Sequence, residues 1–498
     1  MNQTQQTQTT SSIDTIRAVR IQKLAELADK GINPYPYSFD KNASSKFLQE
    51  KYKDLENGQE LPDEYKVAGR VMAVRNSGMF IDLADAEGKI QIFSHKDNLS
   101  TEQLQLLKLV DIGDIVGFTG TIRRTPRGEL TIKANDIKML TKSLKPLPEK
   151  FHGLTDVETR YRQRYVDMIM NPEVRDTFRK RSLIIQKIRE YLAREGFLEV
   201  ETPMLHNQAG GAAARPFETH HNTLDMDMVL RIAPELHLKR LMVGGLSEKI
   251  FEINRCFRNE GIDATHNPEF TTIELYQAYV DYNDMMKLTE NLVAHVALEV
   301  LGTMKIKFGD NEIDLTPPWD RKTMIGAIKE YTGVDFLEFY TAQEAIDAAR
   351  KMGIEAEDDL NWGKAVELVF EEKVEPKLIQ PIHIMDYPRE ISPLAKVHRD
   401  NIRLTERFES RINGWEIANA FSELTDPIDQ RQRFEAQALA KAQGDEEACG
   451  IDEDFINALE YGMPPTGGMG MGIDRLVMLL TNSSTIRDVI AFPTLKNK

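Results

Sequence analysis

The chain has 498 residues, with 63 Lys and Arg against 79 Asp and Glu and a net charge of −16. That length allows two or three domains with a large core, and the acidic balance argues against a bulk polyanion binder held by a basic surface, though not against local recognition of a nucleic acid. Two cysteines, Cys256 and Cys449, exclude a disulfide framework and a Cys-type zinc site and fit a reducing, cytoplasmic compartment, and no run of about 18 apolar residues offers a helical membrane span.

The stretch Met1–Ser12 is rich in Gln and Thr and has no apolar h-region, so a disordered start is expected rather than a secretory signal. Ile16, Val19, Leu24, Leu27 and Ala28 fall near helical spacing, which predicts a helix from Ile13 to a stop at Gly31. A second short helix is expected from Lys46 to Leu55, and residues 1–64 read together as an N-terminal extension. From Tyr65 to Leu140 the texture changes to alternating apolar and polar residues with turn signals. The runs Val67–Arg75, Met79–Leu83, Ile90–Phe93, Ile115–Ile122 and Leu130–Lys133 predict five short strands, with a helix over Thr101–Leu109 after the third. That is the pattern of a small OB-type barrel, here 65–142. Residues 143–157, with two prolines near their start, read as a linker. From 158 to 498 long helices mix with extended strands in one large domain. Helical patterns at Ala342–Met352 and Trp362–Val374 mark about 303–400 as an insertion or helical subdomain.

Five segments of this domain concentrate chemistry. A helix over Thr177–Arg194 is followed by Gly196-Phe-Leu-Glu-Val-Glu-Thr-Pro203, read as helix, glycine stop, strand and proline; a plain helix–strand junction would look the same. Gln208-Ala-Gly210-Gly211-Ala-Ala-Ala-Arg215 is a loop able to lie over a ligand or merely to pack closely, and Arg231-Ile-Ala-Pro-Glu235 follows it. Ile250–Arg258 and Phe270–Tyr276 read as antiparallel strands joined by a polar loop. Parity puts Glu252, Asn254, Cys256 and Arg258 on one face of the first strand, and Phe270, Thr272, Glu274 and Tyr276 on one face of the second. A polar row in a central sheet is costly unless it meets partners or a ligand. In Glu409–Glu423, the residues Asn419, Phe421 and Glu423 share a face, whereas Glu416 has the opposite parity. A bulge or bend must therefore intervene if all are to point into one site. The carboxylates Glu409 and Glu416 suit magnesium against phosphates, although acidic pairs are more often just solvated.

Near the C-terminus, Gly467-Gly-Met-Gly-Met-Gly472 runs into an amphipathic helix with Arg475 in its first turn. Glycines let a backbone lie close to a planar base, a helix N-terminus favours anions, and an arginine can stack on a ring or fork onto a phosphate. The spacing is not that of a Rossmann fingerprint, and the chain has no Walker loop and no H-E-x-x-H.

In this order the segments resemble the class II aminoacyl-tRNA synthetases: Gly196–Pro203 looks like their motif 1, Phe257-Arg-Asn-Glu260 with its loop like motif 2, and Gly468–Arg475 like motif 3. The barrel is similar to that of the aspartyl, asparaginyl and lysyl subclass. Arg231-Ile-Ala-Pro-Glu235-Leu, Arg258-Asn-Glu-Gly, His266-Asn-Pro-Glu-Phe270 and Asn419-Ala-Phe-Ser-Glu423-Leu look most like the bacterial-type lysyl enzymes. The resemblance implies an α+β fold, with a five-stranded barrel ahead of a catalytic domain built on an antiparallel sheet flanked by helices. It implies ATP-dependent ligation of lysine to tRNA(Lys) through a lysyl-adenylate, releasing AMP and pyrophosphate, with Mg2+ and a cytoplasmic homodimer joined through motif 1. It further implies Arg258 at the α-phosphate and Arg475 at the γ-phosphate, with Glu260, His266, Asn267, Phe270 and Gly472 around ATP. Glu409 and Glu416 would hold the metal. Gly211, Glu235, Glu274, Tyr276, Asn419, Phe421 and Glu423 would bind lysine, and the acidity of that set suits an ammonium-bearing substrate rather than aspartate. Arg75, Phe80, Gln91 and Glu129 would meet the anticodon. A catalytically dead relative or a tRNA-binding regulator would lack a reason to keep Arg258, Glu409, Glu416 and Arg475 together.

Overall fold

The computed structural model describes residues 2–148, 154–442 and 449–497, with residues 2–12 described in backbone only. The chain forms two compact units, Met1–Gly153 and Leu154–Lys498. Of the linker expected at 143–157, residues 149–153 lie outside the described ones.

In the first unit, α1 (Asn2–Asp29) and α2 (Ser45–Lys51) precede five strands: β1 (Glu60–Arg75), β2 (Phe80–Ala84), β3 (Lys89–Phe93), β4 (Ile115–Arg124) and β5 (Leu130–Thr141). They close into a barrel in the order β1-β2-β3-β5-β4, with α3 (Thr101–Leu109) between β3 and β4. The helix starts where Ser100 and Gln103 cap each other's backbone N–H groups. Period-2 alternation sends Val71, Ile81, Leu83, Ile90, Ile92, Phe118, Ile122, Leu130 and Ile132 inward, all buried. Two expectations shift here. Helix α1 runs back to Asn2, through the stretch expected to be disordered. Helix α2 stops at Lys51 instead of Leu55.

The second unit is built on an eight-stranded mixed sheet. Helix α4 (Pro172–Arg194) leads into β6 (Leu198–Glu199) through Gly196 at φ +85°, and α5 (Glu235–Val243) precedes the hairpin β7 (Lys249–Phe257) and β8 (Glu269–Ala278). Next come α6 (Tyr282–Leu301), β9 (Asp320–Thr323), α7 (Met324–Thr332), α8 (Ala342–Lys351), α9 (Trp362–Lys373) and β10 (Ile382–Met385). The chain closes with β11 (Arg407–Ile412), β12 (Trp415–Ser422), β13 (Thr466–Gly472) and α10 (Ile473–Thr481). The sheet order is β9-β10-β11-β12-β13-β8-β7-β6, antiparallel except at the two edge pairs β9–β10 and β7–β6. The region expected as an insertion is thus only partly one. Helices α7–α9 build their own core around Ile328, Val366 and Phe370, but β9 and β10 extend the main sheet. Their four-residue strands are too short for the alternation to have shown them beside the helical patterns.

Alternation divides the sheet into two faces. Phe251, Ile273, Leu275, Phe408, Ala418, Ala420, Met469 and Met471 pack on α4, α6 and α10. The opposite face carries Thr272, Glu274, Tyr276, Arg407, Glu409, Asn419, Phe421 and the alternate glycines of β13, and it walls a cavity.

Candidate active site and nucleic-acid face

The cavity has a volume of about 430 Å³. Gly211, Glu235, Arg258, Glu260, His266, Asn267, Phe270, Glu274, Tyr276, Glu409, Glu416, Asn419, Phe421, Glu423, Gly472 and Arg475 all line it. The parity problem at Glu416 is resolved by a bulge. Ser410 pairs with Ala418 and Arg411 with Glu416, so Ile417 is the extra residue and Glu416 turns to the same face as Glu409. Of the row predicted on β7, Cys256 and Arg258 reach the cavity. Glu252 instead pairs with the buried Arg231 at 2.8 Å and accepts from Thr202. The Cys256 thiol, pushed up to about 12 chiefly by burial, donates to Asn254 and is no nucleophile.

One end of the cavity is acidic. Glu235, Glu274 and Glu423 are all buried there. The Glu274 Oε2 accepts from the Tyr276 hydroxyl at 3.0 Å. Burial, then the neighbouring Glu235, pushes the Glu274 carboxyl up to about 8. Glu423 is also pushed up to about 8, by burial first, with Glu235 and Glu274 adding to it and Lys239 opposing it. Lys239 Nζ pairs with Glu423 Oε2 at 2.5 Å, whereas Oε1 has no hydrogen-bond donor among the described residues. Oε1 lies over Gly468, whose missing Cβ makes the room; a Cβ there would run into Oε1 and stand 2.7 Å from the Tyr276 ring. Gly211, at φ +86°, closes this end against Glu235.

The other end is cationic and aromatic. The Arg258 guanidinium sits 5.1 Å over the Phe270 ring, and its buried Nε has no acceptor among the described residues. Arg475 reaches back from α10 to donate to the Glu416 carbonyl at 2.8 Å, and it lies 3.0 Å from His266 Nε2. His266 is held by Asp263 at 2.8 Å on its other ring nitrogen. Asn267 donates to the Glu269 carbonyl, leaving its buried Oδ1 without a donor among the described residues. Glu409 is gripped by Arg407 at 2.6 Å and Arg411 at 2.5 Å. Burial would push its carboxyl up, but the two guanidinium groups outweigh that and hold it below the usual range, hence ionised. Glu416 is open to solvent at 39% of its side chain and lies 3.5 Å from Arg475.

In the barrel, Arg75 pairs with Phe80, Phe80 with Phe93, and Asp82 with Gln91, so these side chains share one outer face. Arg75 bridges Asp82 at 2.5 Å, and Gln91 accepts from Thr131 at 3.1 Å. Glu129 is exposed where β5 begins, and its backbone closes the preceding turn on Thr125. The sequence reading missed Phe93, which stacks on His95 at 5.7 Å, tilts against Phe80 at 5.3 Å and carries Arg123 over its ring at 4.9 Å. Its i+2 relation to Gln91 was the available signal. It also missed Arg407, two residues before Glu409 in the cavity wall, and Lys239, one helical turn beyond Glu235 and behind that wall.

A family of tRNA synthetases class II (D, K and N) matches residues 156–496, and an OB-fold nucleic acid binding domain family matches residues 65–140. The lysine–tRNA ligase of Nostoc sp. is 57% identical over 481 residues, 94% of this chain and 86% of the relative. That of Carboxydothermus hydrogenoformans is 55% identical over 473 residues, covering 94% and 96% of the two chains. That of Sinorhizobium medicae is 54% identical over 465 residues, 93% of each.

Proposed function

The chain belongs to the class II lysyl-tRNA synthetases, and on that premise we propose how its cavity and barrel divide the work. It is a lysine–tRNA ligase: the lysine carboxylate attacks the α-phosphate of ATP to give lysyl-adenylate and pyrophosphate, and the lysyl group then passes to tRNA(Lys), releasing AMP. The observation that carries the assignment of the acidic end is Glu423, a carboxylate 1% exposed whose Oε1 has no hydrogen-bond donor among the described residues. Lys239 meets the carboxylate only at Oε2, so the buried Oε1 on the cavity side still calls for a donor, and a substrate ammonium supplies one. Glu423 and Tyr276 then hold lysine's side-chain ammonium, with Glu274 beside them. Glu235 faces the α-ammonium, Asn419 and Phe421 wall the aliphatic stem, and the Gly211 backbone meets the main chain.

At the opposite end, Arg258 binds the α-phosphate and neutralises charge as its pentacoordinate state forms, while Arg475 and His266 take the terminal phosphates. The chemistry needs positioning and charge neutralisation more than proton transfer. Phe270 stacks on adenine, Glu260 and Asn267 border the base and phosphates, and Gly472 allows close approach. The unpaired Arg258 Nε and Asn267 Oδ1 support this reading. Enzymes of this class generally use Mg2+ with ATP. Glu409 and Glu416 fit that ion, since both are hard oxygen ligands brought to one face by the bulge and phosphates supply the remaining oxygens. Bound there, Mg2+ would screen the phosphate charge. Arg407 and Arg411 keep Glu409 ionised and fixed for it.

Residues 65–142 serve as the anticodon-binding domain, with Phe80 stacking on a base and Arg75, Gln91 and Glu129 around it. The residues ahead of β1 form an extension, and 158–498 the catalytic domain; the barrel's first strand already begins at Glu60, before the boundary expected at 64/65. Leu198, Met204, Leu205 and Leu246 are exposed beside the motif 1 segment, which supports a homodimer joined there. The protein works in the cytoplasm. No described helix is long and apolar enough to cross a membrane.

Pyrophosphate exchange with each amino acid tests the substrate reading: lysine alone should stimulate exchange, and Glu423→Gln should raise the lysine KM while leaving the ATP KM unchanged. A lysine KM untouched by that substitution places Glu423 outside the pocket.

A further inference from the structure

The acidic end contains a cation of its own. Lys239 is 0% exposed, and its Nζ stands 2.5 Å from Glu235 Oε1 and 2.5 Å from Glu423 Oε2, the two carboxylates assigned above to opposite ammonium groups of the substrate. Phe421 and Phe455 hold the ammonium from the sides, at 5.3 and 5.9 Å from their ring centres. Lys239 does not line the cavity, so it lies behind the carboxylates and leaves Glu423 Oε1 facing inward.

We propose that Lys239 is a specificity-determining positioning residue: a resident ammonium that ties Glu235 to Glu423 and sets the pocket's charge so that it closes on a substrate bearing two ammonium groups. The inference rests on the lysine-binding reading of this pocket. Ionised against a bound substrate, Glu235, Glu274 and Glu423 bring three negative charges, and Lys239 balances one. A diamino acid brings the remaining two positive charges, whereas a monoamine of similar shape leaves a buried carboxylate unpaired, which is costly. Without Lys239 the two tied carboxylates would also repel one another across the space it fills.

The groups facing the cluster are Glu235 and Lys239 on α5, Glu252 on β7, Glu274 and Tyr276 on β8, and Glu423 after β12. Lys239 is the cation opposing protonation of Glu423, so its loss should move the acid limb of the lysine kcat/KM profile to higher pH.

Lysine and ATP KM values and that pH profile would be measured by pyrophosphate exchange for the full-length Lys239→Met, Glu423→Gln and doubly substituted proteins. Lys239→Met should raise the lysine KM at least tenfold, leave the ATP KM within about twofold and shift the acid limb upward. The double variant has two carboxylates for two substrate ammonium groups. It should therefore bind lysine more tightly than Glu423→Gln alone, a comparison that stands even if Lys239→Met does not fold. A double variant that binds lysine more weakly than Glu423→Gln overturns the proposal, as does a Lys239→Met enzyme with an unmoved lysine KM and pH profile. A Glu423→Gln enzyme with an unchanged lysine KM overturns the pocket assignment itself and this proposal with it.

Discussion

Gly468 and Gly470 occupy successive cavity-facing positions of β13, and neither has a positive φ, so alanine is tolerated by the backbone at both. What differs is the space above them. A Cβ at Gly470 would meet the Glu274 Cγ at 3.6 Å, an ordinary contact. A Cβ at Gly468 would collide with Glu423 Oε1 and stand 2.7 and 2.9 Å from two carbons of the Tyr276 ring. The ring is packed and buried, and Glu423 is tied to Lys239, so the carboxylate must retreat by on the order of 1 Å, a misplacement that can cost about 100-fold in rate. Overpacking adds about 1–3 kcal/mol to the strain. Gly468→Ala should therefore lower lysine kcat/KM in pyrophosphate exchange by roughly two orders of magnitude, equivalent to about 3 kcal/mol. The ATP KM should hold, and Gly470→Ala should cost less than about threefold. Equal losses in the two variants would refute the reasoning, because the backbone change is the same and only the collision distinguishes them.

Glu274 and Glu423 have folded pKa values raised to about 8, so the stability carried by their protonated forms is present at low pH and is lost as pH rises towards 8. Bound lysine favours the ionised carboxylates, so its thermal shift should grow between about pH 6 and pH 8; a flat or falling shift counts against these groups as its ligands. In the barrel, Phe80→Ala should raise the tRNA KM about tenfold to a hundredfold, since base–aromatic stacking is worth roughly 1–3 kcal/mol, and should leave pyrophosphate exchange unaltered. Normal charging by that variant would mean that the stacking face is misassigned. The Glu409→Gln, Glu416→Gln double variant should lose magnesium-dependent exchange, whereas full activity removes both from the metal site. Sedimentation should give a dimer at micromolar concentration, and an active monomer would rule out the motif 1 interface.

Features that depend on neighbours a few residues apart were legible in the chain. Alternation set which residues of β7, β8 and β12 face the cavity, and so grouped Cys256 with Arg258, Glu274 with Tyr276, and Asn419 with Phe421 and Glu423. The barrel strands followed from the same period-2 pattern, because a half-buried strand writes its two faces directly into the chain. Helix-stop signals such as Gly196 at positive φ are similarly local. The tertiary structure alone decided features that need a distant partner. The bulge at Ile417 exists only in the pairing of β11 with β12, yet it decides that Glu416 joins Glu409. The ion pair between Lys239 and Glu423 joins a helix to the end of a strand far along the chain. Likewise, β9 and β10 are too short to announce themselves and become strands by pairing at the sheet's open edge. Local periodicity specifies a face, but a pairing register and a buried charge contact arise only when the chain has closed on itself, because their free energy belongs to two segments at once.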